Sequence, residues 1–268
     1  MKKNITAATE IMIKDITPII DFYKKSEIVG VVLYGGWARG GQIINSDVDI
    51  GVICQNQEVL KDYLNRYDNN WKCKNHIIEI TYYDYEYLDN QLLPKRYFES
   101  KNCYWTEDNR FNWQQSIVLC DTNNMLLSLI KKKAKLPLEE QKANTSALKW
   151  EISRVLNYVL PRLVASQKYT EAQITMNKTI MVIFHYINNK NGLLMPYERA
   201  AFYWFDKNKI PGKESIEKLF INSKTDCDAC KKRMQEFWQI CEDLGIRVKR
   251  QTIEEFLESF FDAKELKL

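Results

Sequence analysis

Two aspartates, Asp47 and Asp49, open an apolar run that continues to Cys54, and a glycine pair, Gly35-Gly36, closes an earlier apolar run from Val29 to Tyr34, eleven positions before Asp47. On a strand, residues two apart project from the same face with backbones roughly 7 Å apart, so both carboxylates meet one space while Ser46 and Val48 face the other way. That spacing suits one or two hard cations, Mg2+ or Mn2+. Without a cation, or at least partial exposure, two like charges there would be costly. The paired glycines let the backbone turn sharply and bring N–H groups to phosphate oxygens, and a helix after them would aim its positive end at the same anion. Together these parts point to triphosphate chemistry. A divalent ion would bridge phosphate oxygens and neutralise developing charge while a hydroxyl attacks the α-phosphate in line.

A third carboxylate is expected from a neighbouring strand, and Glu79 interrupts the apolar run Ile77-Ile78-Glu79-Ile80-Thr81. It is read as the third metal ligand or as a general base; the bland alternative is an edge-strand glutamate facing water. The residues expected to contact nucleotide are Gly35, Gly36, Arg39 and Ser46, with Arg39 placed to reach the β- or γ-phosphate.

The elements that must position these groups can be read from periodicity. Residues 5 to 25 carry apolar side chains at helical spacing, Val29 to Tyr34 and Val48 to Cys54 are strands, Glu58 to Tyr67 is helical, Ile77 to Tyr83 is a third strand and Ser116 to Leu119 a short edge strand. From about Asn123 apolar residues recur three to four apart, through 146 to 167, 172 to 189 and 228 to 244, with turn signals at Asn191-Gly192 and Pro211-Gly212. The expected architecture is α+β: a small mixed sheet with flanking helices over 1–122, then an all-α helical bundle over 123–268.

This segment resembles the DNA polymerase β-like nucleotidyltransferase superfamily, whose pattern is an apolar residue, Gly, Gly or Ser, a gap of about ten, and an acidic-x-acidic pair flanked by apolar residues. Tyr34, Gly35, Gly36, Asp47, Val48, Asp49 and Ile50 match it in order and spacing. A nucleotidyltransferase core followed by a helical bundle is similar to the aminoglycoside, kanamycin-type members. The resemblance implies ATP or another nucleoside triphosphate as donor, a small-molecule hydroxyl as acceptor and release of pyrophosphate. It also implies a base on the first long helix of the second domain, for which Glu151 is the candidate; antibiotic resistance is the implied role.

Composition excludes little. The 268 residues are 45% hydrophobic with a net charge of +4, too small and too evenly spread to argue for nucleic acid or membrane. The first fifteen residues lack an apolar core for a signal peptide and no run reaches the roughly 20 residues of a spanning helix, so a cytoplasmic protein is expected. Seven scattered cysteines read as reduced thiols; Cys227-x-x-Cys230 has half the ligands of a zinc site. His185, in an apolar helical pattern, reads as a core histidine, and Lys131 to Lys133 as a solvated helix end. A tRNA CCA-adding enzyme is disfavoured by the absence of strong basic patches. The rival from another class is a nucleotidyltransferase-fold protein that binds or acts on a protein or RNA partner, as in toxin and antitoxin pairs. A homodimer is left open. The aromatic residues Tyr82, Tyr83, Tyr85, Tyr87, Trp105, Tyr203 and Trp204 are candidates to line a sugar or base pocket.

Overall fold

Helix formation at the amino end is cut in two. The computed structural model describes residues 5–42, 46–94, 103–196, 201–209, 216, 226–246 and 255. In it α1 (Ala7–Asp15), capped by the Thr6 hydroxyl, gives way to α2 (Thr17–Phe22), because Pro18 has no N–H and fits only in the first turn of a new helix. The fully buried strand β1 (Ile28–Leu33) follows, then α3 (Gly35–Arg39), β2 (Val48–Cys54), α4 (Gln57–Arg66), β3 (Asn70–Cys73), β4 (His76–Asp84), α5 (Tyr85–Asn90), α6 (Glu107–Gln115), β5 (Ile117–Asp121) and α7 (Met125–Lys133).

The strands form one mixed sheet in the order β3-β4-β2-β1-β5. β1 pairs antiparallel with β2 and β5, β3 antiparallel with β4, and β2 parallel with β4. The edge strand expected near 116 is present as β5. β3 was not anticipated, since its sequence, NWKC, is too short for the alternation of Trp71 and Cys73 to stand out. It is a short, largely polar edge, tied back to α1 by Lys74 and His76 on Asp15.

Each face of the sheet carries its own core. Val31, Leu33, Val48, Ile50, Val52, Ile78 and Ile80 pack beneath Met12, Ile16 and Ile19 of α1 and α2 and Tyr63 of α4. On the opposite face Val29, Val32 and Ile53 pack with Leu88, Trp105, Trp113, Leu126 and Leu129. Contacts divide the chain into two compact units, Met1–Glu140 and Gln141–Leu268. The first unit runs past residue 122 because Leu126 and Leu129 of α7 are needed to cover this second face. Arg110 of α6 closes the unit: fully buried, it donates to the Lys135 carbonyl (2.9 Å) and grips the equally buried Glu140 carboxylate through two bonds of 2.7 and 2.5 Å. The lysine run at the end of α7 is not simply solvated, since Lys133 is buried with its ammonium on the Gln91 carbonyl and Lys132 pairs with Asp89.

The second unit is helical. α8 (Leu138–Arg154) passes through a π-helical segment, Val155–Val159, into α9 (Leu160–Ala165); α10 (Tyr169–Lys190), α11 (Ala201–Lys207) and α12 (Cys227–Asp243) follow. Ile152, Leu156, Leu160, Ile180, Phe184, Phe205 and Phe237 form its core, with Phe184 edge-on to Phe205 at 4.5 Å. His185 is buried, as its apolar pattern indicates. Gly192, at φ 71°, follows the end of α10. Pro211-Gly212 lies outside the described residues. No helix among the described residues is long and apolar enough to cross a membrane.

Removing one partner of a buried, bidentate ion pair strands the other charge. Glu140→Ala is therefore expected to lower the unfolding free energy by about 3–5 kcal/mol, measured by urea denaturation.

Candidate functional site

Asp49 and Glu79 are direct neighbours in the parallel ladder between β2 and β4. Alternation puts the inward residues of this stretch, Val48, Ile50, Ile78 and Ile80, into the core, each 1% exposed or less, and turns Asp47, Asp49 and Glu79 to the other face. One oxygen from each of the three carboxylates lies within 4.8 Å of the other two. Among the described residues this is the sole group of three or more acidic, histidine or cysteine side chains so gathered. Because β4 lies between β3 and β2, Glu79 is not on an edge strand, which removes the bland reading of that residue.

Exposure along the face explains why the charges are tolerated. Ile53 is buried under the helices, Asp49 half-buried, and Asp47 and Glu79 exposed, so the cluster sits where the helical cover ends. A single Mg2+ places opposite ligands about 4.2 Å apart and adjacent ones closer. A spread of 4.8 Å is slightly open for one ion and would close on it by small side-chain rotations, or span two ions. Hard oxygen donors of this kind suit Mg2+ or Mn2+. By contrast, Cys227 and Cys230 meet no third ligand among the described residues, and all seven cysteines are free thiols.

The glycine turn is built against this cluster. Gly35 has φ 71°, and a Cβ there would fall 1.8 Å from Asp49 Oδ2. The Asp49 carboxylate thus occupies the space that any other residue at 35 would fill. The Tyr34 N–H donates to the Asp49 carbonyl (3.0 Å), closing the end of the β1–β2 ladder. The helix expected after the glycines is a single turn, α3, ended by Gly40 at φ 74°, so any anion at the turn meets a few N–H groups rather than a long dipole. Trp37 of α3 fixes the backbone ahead of Asp47: its indole donates to the Ser46 carbonyl (3.3 Å), its ring stands edge-on to His76 (5.7 Å), and its carbonyl accepts from the buried Thr9 (3.1 Å).

The other expected site residues are placed differently. Arg39 is buried, donates to Asn112 of α6 (3.1 Å) and lies 5.9 Å from the Phe111 ring, so its guanidinium links α3 to α6. Ser46 precedes β2 at the turn held by Trp37. Glu151 belongs to the second unit, where both its oxygens are held by Arg154 at 2.7 and 2.8 Å.

Sequence reasoning passed over the layer behind the carboxylates. Gly51 follows Asp49 on the same face, and a Cβ there would press within 2.8 Å of Val32 and 3.2 and 3.4 Å of the rings of Tyr83 and Tyr34. Those rings therefore close up behind the cluster, with the Tyr34 hydroxyl donating to Thr81 (2.9 Å). Burial pushes both phenols far above their ordinary range, and the charge of Asp49 adds to the shift of Tyr34, so both stay protonated. A glycine inside a buried strand was the available signal.

No protein-family model matches the chain, and no curated protein matches it. Among solved structures it is similar to a nucleotidyltransferase-like protein from Exiguobacterium sibiricum, with 11% identity over 87% of this chain and 75% of that one at a TM-score of 0.47. A likeness that distant bears no weight on function.

Two outcomes follow from the geometry. Gly35→Ala displaces the Asp49 carboxylate and is expected to weaken Mn2+ binding by about 100-fold in calorimetry, with helix and strand content unchanged by circular dichroism. In EDTA, Asp47→Asn relieves like-charge repulsion and raises Tm by about 1–3 °C, whereas in excess Mg2+ the order reverses and the wild type melts higher.

Proposed function

We propose that the chain is a metal-dependent nucleotidyltransferase that moves a nucleoside monophosphate, AMP from ATP, to a hydroxyl of a small molecule, with release of pyrophosphate. The observation that carries the reading is the convergence of Asp47, Asp49 and Glu79 on one face of two adjacent parallel strands, against the turn at Gly35. Order and spacing of these residues match the polymerase β-like pattern, which supports the same chemistry.

A bound Mg2+ supplies neutralisation of the phosphate oxygens and orientation of the triphosphate. The three carboxylates would hold that charge in place, Gly35 and Gly36 would offer main-chain N–H groups to phosphate oxygens, and the half-buried layer of Tyr34, Thr81 and Tyr83 keeps the ligand side chains from turning inward. The acceptor oxygen forms its bond to the α-phosphorus as the bond to pyrophosphate breaks, and the hydroxyl proton passes to a base. Glu151 is assigned that proton by the family resemblance. An aminoglycoside-type antibiotic is the acceptor class that the resemblance favours.

Pyrophosphate release from Mg–ATP across a panel of aminoglycosides and lincosamides tests the reading. Release is expected with one class of acceptor and falls by about 10³-fold or more in Asp49→Asn, while Glu151→Gln lowers kcat by about 10²-fold or more. Full turnover in Glu151→Gln moves the base role to Glu79 or to water. Tight Mg–ATP binding with silence across the panel turns the acceptor toward protein or RNA, and failure to bind Mg–ATP at all overturns the reading.

A further inference from the structure

Beyond the carboxylates, at the carboxyl ends of β2 and β4, the first unit holds a second recess, which shares only Tyr83 with the layer behind them. It has a volume of about 230 Å³, opens to solvent and is lined by Gln57, Leu60, Tyr82, Tyr83, Asp84, Tyr87, Leu88 and Tyr104. Tyr83 lies four residues along β4 from Glu79, roughly 13 Å by strand rise, so this is a separate site.

Its lining is unusual in kind. Four of the eight residues are tyrosines, one is a carboxylate and none is basic. The Tyr83 and Tyr104 rings stand at 75° with centres 5.9 Å apart, and Tyr87 and Tyr104 at 78° with centres 6.5 Å apart, so the three rings make adjoining walls rather than a stack. Tyr87 is 49% exposed, so part of its ring is left open to a ligand beside Tyr104. Aromatic walls around a space with an acidic residue in the lining attract a cation through the ring quadrupoles and through simple charge.

The polar groups decide which kind of cation. The Tyr104 hydroxyl accepts from the Trp113 indole (2.8 Å), the Tyr82 hydroxyl is bonded to that of Tyr23 (2.6 Å), and Asp84 Oδ1 accepts the Tyr87 N–H (3.1 Å) as the cap of α5. A primary ammonium or guanidinium needs several acceptors to replace its water, and three of those in the lining, the Tyr82 and Tyr104 hydroxyls and Asp84 Oδ1, already have partners. A quaternary ammonium needs none, because its charge is spread over methyl groups that pack against ring faces and leucine. Leu60 and Leu88 complete such a surface.

We propose that this recess binds a quaternary alkylammonium group, held by Tyr83, Tyr87 and Tyr104 and balanced by Asp84. It stands independently of the nucleotidyltransferase reading, and the site keeps its affinity in EDTA and in Asp49→Asn.

Choline is the probe, with 3,3-dimethylbutan-1-ol as its uncharged isostere and butylammonium as a primary cation, titrated at constant ionic strength against the full chain by saturation-transfer NMR. Choline is expected to bind saturably at about millimolar Kd, and both other probes at least about tenfold more weakly. Tyr87→Leu and Asp84→Asn are each expected to weaken choline about tenfold, and Tyr87→Phe by less than about twofold. Asparagine still caps a helix and phenylalanine keeps the ring, so neither change confuses folding with binding. Equal binding of the uncharged isostere would reduce the recess to an apolar pocket and overturn the proposal. So would butylammonium matching choline, undiminished binding in Tyr87→Leu, or no saturable choline binding below about 50 mM.

Discussion

Like charges a few ångströms apart repel, and the first unit is organised around holding three of them together. Asp47, Asp49 and Glu79 are brought within 4.8 Å by a register in which Asp49 and Glu79 are direct partners across two parallel strands. That register is set from the opposite face, where Val48, Ile50, Ile78 and Ile80 are locked into the core. A slip of one residue in either strand would put isoleucines in water and a carboxylate among Met12, Ile16 and Ile19. Hydrophobic burial on one face is thus what opposes electrostatic repulsion on the other.

The parts of this arrangement that repeat with a period were legible in the sequence. Strands β1, β2 and β4 announce themselves as β-branched runs, and the Asp-x-Asp and lone-glutamate positions within them fix which side chains share a face. What could not be read was decided by contacts between distant residues. Arg39 looked like a phosphate ligand by its distance from the glycines, yet Asn112 and Phe111, more than seventy positions later, hold it. β3, four residues long, is too short for its alternation to be read and exists because β4 offers it an edge. The end of the first unit lies beyond Asn123, where helical periodicity begins, because a helix by its periodicity does not say which core it covers; α7 serves the sheet.

The same distinction applies in the second unit. Its helices were visible from apolar spacing, but the π-helical segment at Val155–Val159 was not. An extra residue in a helical turn rotates everything beyond it by about 100° relative to an unbroken helix. Face assignments carried across that segment by simple counting are therefore offset, which matters for any role given to a side chain near Glu151 by comparison with a regular helix.

The contact between Gly35 and Asp49 has a thermodynamic corollary. Because the carboxylate fills the place where a side chain at 35 would begin, the turn and the aspartate cannot settle independently. Anything that orders the turn's amides biases the Asp49 rotamer, and anything that fixes Asp49 biases the turn. Linkage makes this reciprocal: the factor by which an anion at the turn tightens cation binding equals the factor by which the cation tightens the anion. Two weak ligands that share this contact would arrive together more readily than either alone, and one missing methyl group would be the physical origin of their cooperativity.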